Sequence, residues 1–584
     1  MTVSEWLPRP TLAVGITGHR PDRLGEDTHD TLASAVSEVL AAIEAAAAGP
    51  DPVAIRMVSA LAEGADSIAT DAAVARGWAL DVVLPFHRND YIADFAEGGV
   101  RAAHVAQLGR ARAVFELPGD RALEDGERIA YERAGRLMLA QSDVLVAVWD
   151  NGPVRGRGGA AQIVAEAVLQ GIPVIQIDPQ QPGAATVLWD GLEDGELGQN
   201  SIETVPRGGL DRLPALLKAL VAEPESSQDR AELARFGEKI GVRRSAGFAY
   251  PLLLAVMGVR PLRADSAQRT SDAPTDSTGT AFGARVATLI DARFAHADAA
   301  ATRFAQVFRS GYVANFALAA LAVILALLGL ALPYAVKPVL IALEVIAIAI
   351  ILGLTRVGNR DGWHRRWLDN RALAEQLRCL AVLARIGDLN LRAAQKGSSA
   401  WVAWYARATA REVGLPSTTV DAEWLGAIKY EALALIDGQI AYLSADAKRM
   451  HQLEHRLHRL GTILFLATAA TCLAFLLFKL TSAWLPGAKA LEGPLTIAAI
   501  IIGAALPAVG SAIYGIRMQG EFAGIARRNE ALIARLVALK EVMTRDALTF
   551  DTVHRRIRWM TTLLTGNLES WLQTYHARPL ALPG

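Results

Sequence analysis

The strongest constraint on this chain is a pair of apolar runs longer than a water-soluble core needs. Tyr312–Leu332 is apolar apart from Asn315, and after the break Pro333–Lys337 the run resumes from Pro338 to Thr355. A helix rises about 1.5 Å per residue and the hydrocarbon core is about 30 Å thick, so roughly 17–25 such residues span it. Backbone N–H and C=O groups find no water in lipid, which makes helices the economical form of both runs. Together they predict a transmembrane hairpin, and the hairpin occurs twice. Gly461–Phe478 and Pro494–Ile516 repeat it, joined by a loop holding Lys479, Trp484, Pro486 and Lys489. The echo continues past the membrane: Asn370-Arg-Ala-Leu-Ala-Glu-Gln-Leu377 follows the first hairpin and Asn529-Glu-Ala-Leu-Ile-Ala-Arg-Leu536 the second. Both fit Asn-x-Ala-Leu-x-x-x-Leu, as a duplicated hairpin-plus-helix module would.

Four spans occupy only a small part of 584 residues, so a large non-membrane portion is expected. The formal net charge of −1 argues against a nucleic-acid partner held by bulk positive charge. Cys379 and Cys472 are the only cysteines, one in an expected non-membrane helix and one inside a span, which disfavours a disulfide framework or thiolate metal site. Met1–Pro8 lacks the charged start and apolar segment of a secretory signal. Arg303, Arg309, Arg356, Arg360, Arg365 and Arg366 flank the first hairpin, against Lys337 alone in its turn. Arg456, Arg459, Arg517, Arg527 and Arg528 flank the second, against Lys479 and Lys489. The positive-inside rule then places both termini and all large segments of this multi-pass chain in the cytoplasm.

The first 220 residues read differently. Short apolar runs at Leu12–Thr17, Val53–Val58, Leu80–Pro85, Ala113–Leu117, Val144–Trp149 and Ile172–Ile177 alternate with helical stretches. That pattern predicts an open α/β domain, a Rossmann-like parallel sheet covered on both faces. In such sheets ligands bind beyond the carboxyl ends of the strands. Three of those ends carry glycines: Gly15-Ile-Thr17-Gly18-His19-Arg20, Glu63-Gly64-Ala65-Asp66, and Arg155-Gly156-Arg157-Gly158-Gly159 leading to Gln162. Glycine lets backbone N–H groups approach phosphate oxygens, a helix N-terminus favours the negative charge, and arginine adds bidentate donors. Glycines also simply make turns, but three clusters at strand ends point to a phosphate-bearing ligand. His87 and His104 have no ligand-like spacing, and no metal site is expected.

Thr17-Gly-His-Arg20, Ser59-Ala-Leu-Ala-Glu-Gly-Ala-Asp66, Ser142-Asp-Val-Leu-Val-Ala-Val-Trp149 and Arg157-Gly-Gly-Ala-Ala-Gln-Ile-Val-Ala-Glu166 resemble a SLOG domain over about residues 10–220. That superfamily holds nucleotide-sensing modules and the LOG phosphoribohydrolases. The resemblance implies a nucleotide or NAD-derived ligand at Gly15, Thr17, Gly18, His19, Arg20, Glu63, Gly64, Asp66, Arg155, Arg157, Gly158, Gly159 and Gln162. Glu166 would either reach a ribose hydroxyl or serve as an ordinary helix residue. The LOG pattern Pro-Gly-Gly-x-Gly-Thr-x-x-Glu is departed from: its prolines are missing, Ala161-Gln162 stand for Gly-Thr, and Glu166 comes one residue late.

The rest of the chain divides into a linker at 226–282, with a short apolar segment Phe248–Gly258 and a polar stretch Arg263–Thr280, and two modules at 283–440 and 441–584. Hairpins with amphipathic flanks behind a SLOG-like domain resemble the SLATT family, which implies an oligomeric, pore-forming effector of bacterial conflict systems. The first reading is therefore a nucleotide sensor, 1–225, that switches a membrane region. We expect that segment alone to be soluble and to bind an adenine- or NAD-type nucleotide. The alternative is a membrane-anchored nucleotide-processing enzyme; the altered LOG pattern favours sensing. Glu344, about six residues into the second span, either snorkels to the surface, is protonated, or lines a water-filled path.

Overall fold

The computed structural model describes residues 6–24, 29–48, 52–153, 156–191, 201–237, 247–261, 281–391, 398–482, 488–575, 580 and 582. Arg155, the polar stretch Arg263–Thr280 and the loop residues Trp484 and Pro486 lie outside the described residues.

All six apolar runs are strands: β1 (Thr11–Gly18), β2 (Ala54–Ser59), β3 (Ala79–Leu84), β4 (Ala113–Glu116), β5 (Val144–Val148) and β6 (Val174–Asp178). Three further strands complete the sheet: β7 (Gln181–Leu188), β8 (Arg207–Gly208) and β9 (Thr418–Thr419). The order is β8-β7-β6-β5-β1-β2-β3-β4-β9; only β7 pairs antiparallel, with β6 on one side and β8 on the other. Winding runs outward from β1 to β4 and then reverses, placing β5 on the other side of β1. That reversal creates the crevice in which doubly wound folds hold ligands.

Side chains alternate between the two faces of a strand, so each face has its own core. One face, with Leu12, Val14, Ile16, Met57, Val82 and Val146, lies under helices α1 (His29–Ala47), α2 (Ala65–Ala75), α3 (Gly99–Gly109) and, later in the chain, a helix at Leu213–Val221. The other face carries Ala13, Val58, Val83, Phe115, Leu145 and Ala147. Helices α4 (Gly126–Ala140) and α5 (Ala160–Leu169) cover part of it; with Leu213–Val221 as α6, the α/β domain's own helices end there.

The remaining helices are α7 (Ser227–Phe236), α8 (Ala249–Val256), α9 (Ala281–Ala331, with a π-helical turn at Ala287–Asp291), α10 (Lys337–Arg360), α11 (Trp363–Arg385), α12 (Ala400–Val413), α13 (Ala422–Ser482), α14 (Ala488–Gly520), α15 (Phe522–Arg545) and α16 (Phe550–Tyr575). Among the described residues, four helical segments are long and apolar enough to cross a membrane, and they lie in α9, α10, α13 and α14. They form the two expected hairpins. Helix α9 joins them by packing on α14, so closely that a Cβ on Gly515 would stand 2.2 Å from the Phe316 ring. Buried Asn315 donates to Thr355 Oγ1 at 2.8 Å, which ties α9 to α10. The duplication extends to the backbone. Each hairpin ends at a left-handed residue, Gly362 (φ 60) or Glu521 (φ 46), eight residues before Asn370 or Asn529. A buried aromatic, Trp363 or Phe522, follows immediately in both copies.

What the sequence pattern does not show is how deeply the two halves interlock. Helices α11 and α12 cover the rest of the sheet's second face, and one continuous core runs from Val58 and Phe115 to Leu380, Trp401 and Leu539. β9 lies beside β4, its neighbour Val420 donating to the carbonyl of Glu116 at 2.9 Å. Arg411 on α12 reaches Asp143 Oδ1 at 2.7 Å and the carbonyl of Leu220 at 3.0 Å. The Gln141 amide donates to the carbonyl of Gly387 at 2.7 Å, and Trp404 to that of Val221 at 2.9 Å. These contacts pair buried polar groups that would otherwise be left unsatisfied.

Candidate functional site

The carboxyl ends of β1, β2, β3, β4 and β5 bring five loops to one edge, and the expected glycine-bearing turns stand among them. His19 is buried where β1 ends, and its Nε2 lies 2.9 Å from Asp150 Oδ1 beyond β5. Asp150 also accepts from Arg23 at 2.6 Å and from the Gly152 N–H at 3.0 Å. Burial raises the Asp150 carboxyl, but the bonds from His19, Gly152 and Arg23 outweigh it and hold it at about 2. The switch point therefore carries a permanent, already neutralised carboxylate.

Next to it, Gly64 opens α2 with φ 105, a conformation in which a Cβ would sit 2.7 Å from the carbonyl of His19. The Ala65 N–H donates to that same carbonyl at 3.2 Å, which locks the β1 turn to the helix N-terminus. Thr17 and Glu63 are half-buried at this edge, and Gly18 packs against Ala65. Gly15 does not belong to the crevice. It pairs with Val58 and Leu145 inside the sheet, where a Cβ would meet Met138 and Ser142.

The arginines separate by what they touch. Arg157 pairs with Glu132 at 3.2 Å, Arg23 with Asp150, Arg88 with Glu116, and Arg121 with Asp94. Arg20 differs: its guanidinium lies over the Tyr131 ring, 4.9 Å from the centroid, with no carboxylate at ion-pair distance among the described residues. Burial works against its charge, yet Tyr131, Tyr91 and Asp94 around it raise its pKa. The Tyr131 hydroxyl is in turn engaged, donating to Asp94. A positive group held on an aromatic platform, with no carboxylate at ion-pair distance among the described residues, is equipped to take an anion.

Asp66 is buried behind this group, accepting weakly from Ser59 Oγ and the Ala62 N–H, each at 3.4 Å. Burial dominates and pushes its carboxyl up to about 7. The folded value lies above the unfolded one, so the folded protein binds the extra proton and stability falls as pH rises from about 4 to 7. Asp66→Asn should therefore raise the thermal midpoint at pH 8, by an amount equivalent to roughly 4 kcal/mol at most, and barely move it at pH 4. Equal shifts at the two pH values would contradict this account.

The third turn is a network. Gly158 N–H donates to Gln162 Oε1 at 2.8 Å, and the Gln162 amide donates to Glu132 at 2.8 Å and to Glu166 at 2.9 Å. Arg136 grips Glu166 at 2.8–3.1 Å, and Gly159 stands at the N-terminus of α5. Glu166 is thus an ion-paired helix residue in this state. One residue past Glu132 on α4, Arg133 pairs with Asp551 on α16 at 2.6 Å, and α16 holds Asp388 through His554 at 2.8 Å and Arg558 at 3.1 Å. The crevice and the membrane-flanking helices are therefore joined through α4. Glu344 is half-buried on the stripe of α10 that carries Leu340, Ala347 and Ile351, away from the exposed Val345, Ile346 and Ile348.

Asp94, Arg121, Tyr131, Glu132 and Arg136 were not singled out by sequence. Asp94 and Arg121 follow the third and fourth apolar runs, so applying the strand-end rule to every run would have found them. Tyr131, Glu132 and Arg136 lie within a helix and carry no local signal.

The family described as Protein of unknown function (DUF4231) matches residues 295–383, from α9 through the first hairpin into α11. No curated protein matches the chain.

Proposed function

We propose that the crevice between β1 and β5 senses a nucleotide or NAD-derived anion and that its occupancy switches an oligomeric membrane region which perturbs or permeabilises the bilayer. The observation that carries the reading is Arg20, an exposed cation at the topological switch point, set over the Tyr131 ring and with no carboxylate partner among the described residues. A carboxyl at Asp66 that is half-protonated near neutrality repels an anion less than an ordinary aspartate does. Engagement of Glu166 by Arg136 and Gln162 favours sensing over the phosphoribohydrolase alternative. In this reading the α/β half is SLOG-like, the helical half SLATT-like, both termini face the cytoplasm of a bacterial inner membrane, and the biological role lies in antiphage or conflict defence.

The test uses the full chain in nanodiscs, titrated by calorimetry with a panel of adenine and NAD-class nucleotides. Wild type should bind one of them, and Arg20→Ala should weaken binding about tenfold to a hundredfold, the loss of one charge-assisted hydrogen bond. Arg157→Ala should matter less, because Arg157 is already paired. Absence of binding from every nucleotide would remove the sensing reading, and turnover of the bound one would favour the enzyme. Nucleotide-triggered ion flux in liposomes, wild type against Glu344→Gln, reports on the effector half; flux with unchanged cation preference in the variant would leave Glu344 outside any path.

A further inference from the structure

Helix α8 takes no part in the crevice, yet it has a stripe of its own. Phe248, Leu252 and Val256 recur every four residues and are 55%, 39% and 68% exposed, while Tyr250 and Leu254 are buried on the opposite side. That spacing makes one continuous apolar face. The buried side is fastened to the first hairpin. The Tyr250 N–H donates to Ser310 Oγ at 3.1 Å, Gln306 donates to the carbonyl of Gly247 at 3.1 Å, and Arg309 stands 5.4 Å from the Tyr250 ring. The other end is fastened to the second hairpin, where Arg456 of α13 donates to the carbonyl of Met257, beside the left-handed Gly258 (φ 63) that closes the helix.

Depth says what meets the exposed face. Ser310 comes two residues before the first apolar run at Tyr312, and Arg456 comes five before the third at Gly461. At about 1.5 Å per residue, both anchors lie within roughly 8 Å of where the apolar runs begin. A helix held at both ends at that level, on two different hairpins, lies along the boundary. Its outer face points away from the bundle into the zone of about 5–8 Å between hydrocarbon and water. Exposed Arg456 and Arg459 stand on the same side of the spans and match anionic headgroups.

We infer that α8 is an in-plane interfacial helix whose Phe248, Leu252 and Val256 face is buried in the lipid surface of the leaflet nearest the α/β domain. It clamps α9 to α13 at the membrane boundary and makes both hairpins responsive to the composition of that leaflet. The partner is the lipid surface itself; a second copy of the chain on the same face is the competing occupant.

The experiment uses the full chain carrying Cys472→Ala and Leu252→Cys, with Cys379 buried and unreactive, labelled with an environment-sensitive fluorophore. It is reconstituted in vesicles of phosphatidylethanolamine and phosphatidylglycerol. A label at Leu123→Cys, on the exposed surface of the α/β domain, gives the aqueous reference. At position 252 a nitroxide placed high on the acyl chain should quench several-fold more than one placed deep, and aqueous iodide several-fold less than at position 123. Iodide quenching equal to the reference overturns the inference in favour of a water-exposed face. Protection from iodide and from both lipid quenchers overturns it in favour of a protein partner.

Discussion

Residues 1–225 expressed alone will not give a soluble, cooperatively folded domain, although the sequence pattern leads one to expect it. Val58, Val83, Phe115 and Leu145 belong to a core completed by α11 and α12, which such a fragment lacks. Uncovering four large apolar side chains at about 1.5–3 kcal/mol each is comparable with the whole 5–15 kcal/mol stability of a domain. The truncation also removes β9 and exposes β4 as an edge strand ready to pair with another chain. Asp143 would lose Arg411, and the carbonyls of Leu220 and Val221 would lose their donors. Expression with size-exclusion chromatography and circular dichroism checks this. A monodisperse fragment with a sharp unfolding transition would show that the second half contributes little to the sheet.

Arg411→Ala in the full chain should destabilise both halves together, by about 3–5 kcal/mol, because it strands a buried carboxylate. Arg411 is 5% exposed, and Asp143 depends on it while also accepting from the Ala13 N–H at 3.0 Å. The Asp143→Ala partner should cost a similar amount, and the double variant should cost well under the sum of the two. A contrasting pair lies nearby. Arg9 and Glu412 are 3.9 Å apart with Arg9 almost fully exposed, so Arg9→Ala should change stability by no more than about 1 kcal/mol. Denaturant unfolding monitored by helix content and by tryptophan emission would separate the possibilities. Two well-resolved transitions, with only one moved by Arg411→Ala, would mean that the halves unfold independently.

The sequence by itself determined the features that depend on transfer from water along a local stretch of chain. Apolar length against bilayer thickness located four span-length helices, and β-branched runs located six strands to within a residue or two. Winding rules then brought the glycine turns after β1, β2 and β5 to one edge. Thr17, Gly18, His19, Arg20, Glu63, Gly64 and Asp66 were legible on that basis, because a strand end is a local event. The tertiary structure decided whatever depends on partners distant in the chain. It set Gly15 inside the sheet, and it neutralised Arg157 with Glu132 and Glu166 with Arg136 while leaving Arg20 without a carboxylate at ion-pair distance among the described residues. It made β7 a strand although only Val187 and Leu188 of Gln181–Leu188 are buried, and it recruited Thr418–Thr419 and α12 from beyond the first hairpin to finish the sheet. Hydrophobic periodicity records that a face must be covered but not by what. Ion pairs between residues a hundred or more positions apart, such as Arg411 with Asp143, leave no periodic trace, because their energy exists only once the chain has brought them together.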